Sequence, residues 1–215
     1  MITMNFPSID VFERFAEEYD QWYDRHPLLY QSELQALKKV VPAAGEGLEI
    51  GVGTGRFAAA LNIKTGIEPT LAMALKAKER GIRVIRGYAE NLPFLPCSFG
   101  IVLLVTTICF LEHPAAAFKE VHRVLEPGGC IITGFIDKNS AIGKKYREEK
   151  DKNKFYKYAR FKSADRMISM LETSGFQLTE SYQTLTHPDI TGIQSPFPGC
   201  GKGSFAVLKA VKQSD

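Results

Sequence analysis

No two cysteines stand at C-x-x-C spacing. The four, Cys97, Cys109, Cys130 and Cys200, lie 12, 21 and 70 residues apart with no histidine at ligand distance. That argues against a structural zinc; Cys109 and Cys130 sit in apolar stretches and read as small hydrophobes of a reduced, cytoplasmic chain, without excluding a disulfide. Strong charge of either sign is also missing. A formal balance of +3 is too mild to declare a nucleic-acid binder, since neutralising phosphates needs Lys and Arg concentrated in one place. The longest apolar run, Ile101 to Leu111, is interrupted by Thr106 and Thr107, and the start, MITMNFPSIDVF, has no basic stretch followed by an apolar one. Neither a membrane span nor an export signal is expected. Internal repeats, low-complexity tracts and a linker are absent too, so 215 residues at 45% apolar predict one domain over 1–215.

What the sequence does have begins at Leu48. Leu48, Ile50 and Val52 form a short apolar strand, Gly51, Gly53 and Gly55 let the backbone turn tightly, and Arg56 to Leu61 opens a helix. A glycine turn feeding a helix surrounds a ligand with bare main chain and the positive end of the helix dipole, which suits a nucleotide or nucleoside carrying a carboxylate or phosphate. The spacing is E-x-G-x-G-x-G from Glu49, not the dinucleotide pattern G-x-G-x-x-G. A second apolar segment, Lys64 to Ile67, ends in Glu68, seventeen residues past Gly51. A carboxylate at the end of the neighbouring strand can accept both hydroxyls of a ribose.

Strand and helix then alternate. Pro69-Thr70 starts a helix stopped by Arg80-Gly81, Ile82 to Ile85 is a third strand, Ile101 to Val105 a fourth, and Cys130 to Phe135 a fifth, with Leu111, Phe118, Val121 and Leu125 as the buried stripe of the helix between the last two. Ser163 caps a further helix up to Gly175, and Phe176 to Thr184 and Ser204 to Val211 close the sheet around a Pro/Gly-rich loop. The pattern predicts an α/β, doubly wound, Rossmann-like sheet of seven mostly parallel strands with an antiparallel C-terminal strand, helices on both faces and the ligand at the carboxyl ends of the strands. Ahead of it, Asp10 to Tyr23 reads as one amphipathic helix and Tyr30 to Val40 as another, a helical cap over 1–42. Residues 137–162 break the rhythm: between Lys138 and Lys162 stand ten Lys or Arg against three acids, interleaved with Tyr146, Phe155, Tyr156, Tyr158 and Phe161. This basic lid insertion reads as a charged excursion with docked aromatics and solvated lysines, or as a surface for RNA or an anionic substrate.

In order, E-x-G-x-G-x-G, Glu68, GYAENLPF from Gly87, Ser98-Phe99 and the Pro-Gly-Gly after Glu126 resemble the class I S-adenosylmethionine-dependent methyltransferases, in particular the small-molecule type of the UbiE-like group. F-x-x-x-A-x-x-Y-D-x-W from Phe12 is similar to that family's entry helix, where the tyrosine covers the cofactor. The resemblance is specific from Asp10 to Gly129 and looser from Phe161 to Lys212. It implies S-adenosylmethionine as cofactor. Glu49 would brace the loop, Gly51 and Gly53 leave room for the methionine part, Glu68 hold the ribose, Pro69 lie against adenine, Thr106 line the methionine side, and Tyr19 close the lid. Tyr88 stands where the family commonly has an aspartate for the adenine amine, which leaves Ala89 or Glu90 to read the base edge; Gly100 stands where an aspartate commonly opens the fourth strand.

The chemistry so implied is in-line methyl transfer to a small organic acceptor, without a metal and without a membrane partner. No catalytic residue is assigned. Cys109 and His113 are the nearest candidates for a base. The alternatives are an RNA or protein methyltransferase, a module that binds S-adenosylmethionine without catalysis, and a nicotinamide oxidoreductase using Tyr158 and Lys162, which the glycine spacing disfavours. Val105-Thr106-Thr107-Ile108 replaces the Asn-Pro-Pro-Tyr sequence of amide-directed enzymes.

Overall fold

The computed structural model describes residues 7–187 and 189–213. Residues 1–6, Pro188 and 214–215, which belong to the expected cap, the Pro/Gly-rich loop and the C-terminus, lie outside the described residues.

The chain opens with α1 (Pro7–Arg14), α2 (Ala16–Arg25) and α3 (Pro27–Val40). Strands β1 (Gly47–Ile50), β2 (Thr65–Glu68), β3 (Arg83–Arg86), β4 (Phe99–Val105) and β5 (Leu125–Ile136) then alternate with α4 (Arg56–Ala60), α5 (Leu71–Glu79) and α6 (Pro114–Val124). After α7 (Ala141–Glu148) and α8 (Ala164–Glu172) come β6 (Phe176–Thr184), β7 (Phe197–Pro198) and β8 (Phe205–Lys212). The sheet order is β3-β2-β1-β4-β5-β8-β6-β7, with the first five parallel and β8 antiparallel to both β5 and β6. The order reverses between β1 and β4, and at such a switch point the loops leave the carboxyl ends in opposite directions and open a crevice.

The period of two along β4 makes both cores. Val102 and Leu104 face a cluster with Phe118 and Val121 of α6 and Met167 and Leu171 of α8. Ile101, Leu103 and Val105 face the opposite cluster with Leu37 of α3, Phe57 of α4 and Ala77 of α5. Five of these strand residues are at most 4% exposed, which is why the run carries no polar position. Phe118, fully buried, is worth roughly 3–5 kcal/mol against alanine.

Three details differ from the sequence reading. The expected Asp10–Tyr23 helix is two helices parted at Phe15 (φ −119°, ψ 27°). The break lets α1 tip onto α5, where the Glu13 carboxylate accepts from Leu71 N (2.6 Å) and Ala72 N (3.3 Å), capping that helix from 58 residues away. The fifth strand begins at Leu125, five residues early, because the Pro-Gly-Gly stretch is carried inside the ladder at a register shift opposite Phe99 and Ile101. The sheet has an eighth strand: the two-residue β7 pairs with Tyr182 and Gln183 at the edge of the expected seven.

Candidate active site

At the crevice the chain turns through Gly51, Gly53 and Gly55 with φ of +65°, +53° and +82°, torsions that side chains resist. Gly51 N and Val52 N both donate to Ile67 O (2.9 and 3.0 Å), so the loop is tied to the end of β2. The glycines do different work. A Cβ on Gly51 would come within 2.5 Å of the Thr107 side chain, and one on Gly55 within 3.0 Å of Ala77, whereas one on Gly53 would meet only Tyr19 Cε1 at 4.0 Å, across open cleft. Gly51 and Gly53 line the cleft; Gly55 does not, and serves the close approach of α4 to α5. Helix α4 has only five residues, so the loop's own N–H groups, more than a long helix dipole, set the polarity here.

Both acids tie the loop to its surroundings. The Glu49 carboxylate meets the main chain of Ala58 in α4, and that of Glu68 accepts from Gly53 N (3.0 Å), Thr70 N (3.0 Å) and Thr70 Oγ1 (2.8 Å). Three of about four lone-pair positions on Glu68 are thus engaged. Burial still raises its pKa above the ordinary carboxylate value. Glu49, 2% exposed, lines the same cleft with Oε2 without a hydrogen-bond partner, and burial pushes its pKa well up, with the nearby charge of Glu68 adding to the shift. An orphaned carboxylate oxygen is costly unless something cationic completes it. The amino-acid ammonium of S-adenosylmethionine is such a group, and the space over Gly53 is free of side chains. The residues therefore fit the cofactor.

Pro69, Tyr88, Ala89 and Glu90 form the far wall of the cleft, and Glu90 Oε1 accepts from His113 N (3.4 Å). Thr106 lines the near end with a left-handed φ of +52°, held by its N–H to Gly134 O (2.7 Å). A threonine in that region stores strain of order 1 kcal/mol or more. Thr107, given no role from the sequence, staples the two halves of the crevice: its hydroxyl donates to Val105 O (3.0 Å) and Gly51 O (3.3 Å).

Tyr19 belongs to a wider aromatic cluster. Tyr19 OH lies 2.9 Å from Tyr23 OH, and Phe12 meets Tyr19 (5.4 Å), Phe110 (5.0 Å) and Phe155 (5.8 Å), so α1, α2 and the basic segment share one aromatic cluster. Asp20 on α2 bridges Arg56 (2.7 Å), the first residue of α4, and Arg80 (2.8 Å), just past α5. The two guanidiniums hold its carboxyl far below the usual range despite its burial. In the basic segment, Phe155 and Tyr156 are half-buried while Lys144, Lys145, Lys152 and Lys157 are exposed. Lys154 pairs with Glu18 (2.7 Å) and Arg160 with Glu112 (2.7 Å).

The other candidates sit elsewhere. Cys109 is buried, donates to Thr106 O (3.3 Å), and has its thiol pushed up to about 12 by burial, which makes it no base. His113 is exposed at the start of α6 and does not line the cleft. Lys162 donates to Arg160 O and Tyr158 is exposed, neither facing the cleft. Gly100 lies near the opposite end of β4 from Val105, so its departure from the family pattern does not touch the crevice. Sequence reading also missed Glu33, a buried acid on α3. The signal was there: Glu33 is in phase with Leu29, Ala36, Leu37 and Val40, the apolar stripe of that helix.

Known proteins match this arrangement. The model of a methyltransferase domain matches residues 48–133, which span β1 to β5. An uncharacterized protein of Methanocaldococcus jannaschii is 44% identical over 205 residues, 95% of this chain and 100% of its own. A demethylmenaquinone methyltransferase of Chlorobaculum tepidum is 33% identical over 108 residues, 46% of this chain and 45% of its own. The crystal structure of an S-adenosylmethionine-dependent methyltransferase from Thermotoga maritima, described as a possible histamine N-methyltransferase, superposes with a TM-score of 0.92 at 44% identity, covering 96% of this chain and 100% of that one. With the glycine loop, the acid at the end of β2 and the sheet order all in place, the chain belongs to the class I S-adenosylmethionine-dependent methyltransferases.

Proposed function

We propose that the methyl acceptor is a small organic molecule. The observation behind this is a second cavity, about 50 Å³, that shares Tyr19, Tyr23 and Thr106 with the cofactor cleft. At roughly 10–15 Å³ for each water-sized position, it takes a head group of about four heavy atoms, too few for a nucleobase with its sugar or for a protein loop. The basic excess that could have bound RNA is spread over exposed lysines of 137–162 and is partly used in pairs with Glu18 and Glu112. The description of the Thermotoga relative as a possible histamine N-methyltransferase and the quinone-precursor enzyme of Chlorobaculum support the same class of acceptor.

In this reading Glu49 faces the amino-acid ammonium, Glu68 keeps the loop in shape and offers its remaining lone pair to the ribose, and Pro69, Ala89 and Glu90 border the adenine. Bound S-adenosylmethionine supplies a methyl on a sulfonium, so the acceptor's lone pair needs little covalent help. The protein's part is alignment and exclusion of water: Tyr19, Tyr23 and Thr106 stand at the junction between the two cavities. Positioning of this kind supplies on the order of 7–11 kcal/mol in the best intramolecular models. The 1–42 helices and the 137–162 segment serve as cap and lid within one methyltransferase domain.

Calorimetry tests the cleft. S-adenosylmethionine and S-adenosylhomocysteine should bind in the micromolar range, roughly −7 to −9 kcal/mol, and NADH not at all. Gly53→Val, whose methyls would enter the space opposite Tyr19, should weaken both by at least a hundredfold with the circular dichroism spectrum unchanged; equal affinity would remove the loop as the cradle. Label from methyl-tritiated donor should appear in a small-molecule fraction of cell extract, and label confined to RNA or protein would overturn the acceptor class.

A further inference from the structure

The cavity beyond Thr106 has a composition that the cofactor does not explain. Its walls include Trp22, Tyr146 and Tyr156 besides the shared Tyr19 and Tyr23, and among the described residues its lining contains one charged side chain, Glu33, and no Lys or Arg. Glu33 is 5% exposed, and no hydrogen bond or ion pair reaches its carboxyl from the described residues. The Tyr19 and Tyr23 hydroxyls bond one another at 2.9 Å. Tyr146 and Tyr156 stack on one another at 4.6 Å, and both rings line the chamber. A buried acid without a partner costs stability unless a guest supplies the opposite charge, and aromatic faces attract the same sign of guest through their quadrupole. Both features select a cation.

We propose that this chamber is an ammonium-recognition site, with Glu33 as counter-charge and Trp22, Tyr146 and Tyr156 as its cage, so that the acceptor is a small amine bound as its cation. This rests on the small-molecule reading above and narrows it to one chemical class. The burial that raises Glu33 to a pKa of about 8 also suits it to the proton that must leave. The ammonium gives that proton to the Glu33 carboxylate, which becomes the neutral acid. The freed nitrogen lone pair forms the N–C bond while the C–S bond of the sulfonium breaks, its electron pair remaining on sulfur. The methylated ammonium leaves as Glu33 returns its proton to solvent.

Trp22 is the chain's single tryptophan and lines the chamber, so its fluorescence reports occupancy directly. Propylamine, its neutral counterpart propan-1-ol and the anion propionate are titrated into the protein, alone and saturated with S-adenosylhomocysteine. The amine should change Trp22 emission with at least tenfold tighter affinity than the alcohol, and propionate should bind more weakly than either. Glu33→Gln should weaken the amine at least tenfold and leave the alcohol unchanged, with S-adenosylhomocysteine affinity showing that the fold is intact. Should that variant fail to fold, Tyr146→Leu keeps an apolar wall while removing a ring, and should weaken the amine about fivefold and the alcohol less. Equal affinity for amine and alcohol, or an amine affinity that survives Glu33→Gln, overturns the ammonium site while leaving a small acceptor in place. If none of the three binds and an RNA oligonucleotide does, the small-molecule reading falls with it.

Discussion

The cofactor cleft and the chamber beside it are built by opposite means. The cleft is centred on main chain, a five-residue glycine turn with its N–H groups and two strand ends in register, Glu49 beside Gly66 and Ile50 beside Ile67, with side chains such as Glu49 and Glu68 set around it. The chamber is made of side chains from α2, α3, β5, α7 and the 153–156 stretch, with Thr106 and Leu185, positions up to 166 residues apart (19 to 185). In the proposed reading, the nucleoside shared by the family meets backbone that mutation cannot easily change, and the acceptor meets side chains that it can.

Cutting where the two regions meet should have the largest effect. Asp20→Asn leaves Arg56 and Arg80 without their shared carboxylate and should cost about 2–3 kcal/mol, less than a fully buried pair because Asp24 still holds Arg56. Because Asp20's folded pKa lies below its unfolded value of about 3.9, the wild type holds this stability above that pH and loses it as pH falls further. Chemical denaturation at pH 7 and pH 3 should show the variant's deficit shrinking in acid. Glu33→Gln tests the chamber alone and has the opposite sign. With a folded pKa of about 8 against an unfolded value near 4.5, the wild type loses stability as pH rises through that window. Tyr19 and Tyr146, both raised to about 12, and Tyr23, Tyr30 and Tyr156, also raised by burial, stay neutral across it, so Glu33 alone sets the slope on this side. The variant should match the wild type at about pH 3.5, below the unfolded value, and be more stable at pH 8.5 by on the order of 2 kcal/mol, less where water enters the chamber. A variant less stable than wild type at pH 8.5 would mean the carboxylate is structural. Lys154→Ala removes an exposed pair and a cation over the Phe15 ring, and should shift the unfolding midpoint by only a few tenths of a kcal/mol.

The same contrast decides what could be read from the sequence. The turn at 51–55 was legible because its torsions are local and only glycine accepts them, and β4 because a strand covered on both faces has no polar position. The division of labour between Glu49 and Glu68 was not, since it depends on how the loop folds back onto the end of β2. Glu33 was hidden in plain spacing, an acid where the stripe of α3 calls for an apolar residue, and its meaning appears only when Tyr146 and Tyr156 arrive from the far side. The parting of α1 from α2 at Phe15 likewise has no local cause: it is set by Glu13 reaching the first turn of α5. The two-residue β7 was too short to show any period.

Asp20 is fastened at once to the residue that begins α4 and to the one that follows α5, so the wall bearing Tyr19, Trp22 and Tyr23 travels with the glycine turn as one rigid piece. The 137–162 segment is joined to the rest along its margin by solvent-facing ion pairs at Lys154 and Arg160. Added salt weakens those pairs and spares the shielded one. If that segment is the lid proposed above, ionic strength would set how fast product escapes without altering how fast it is made, which single-turnover and steady-state rates measured across salt concentrations would show.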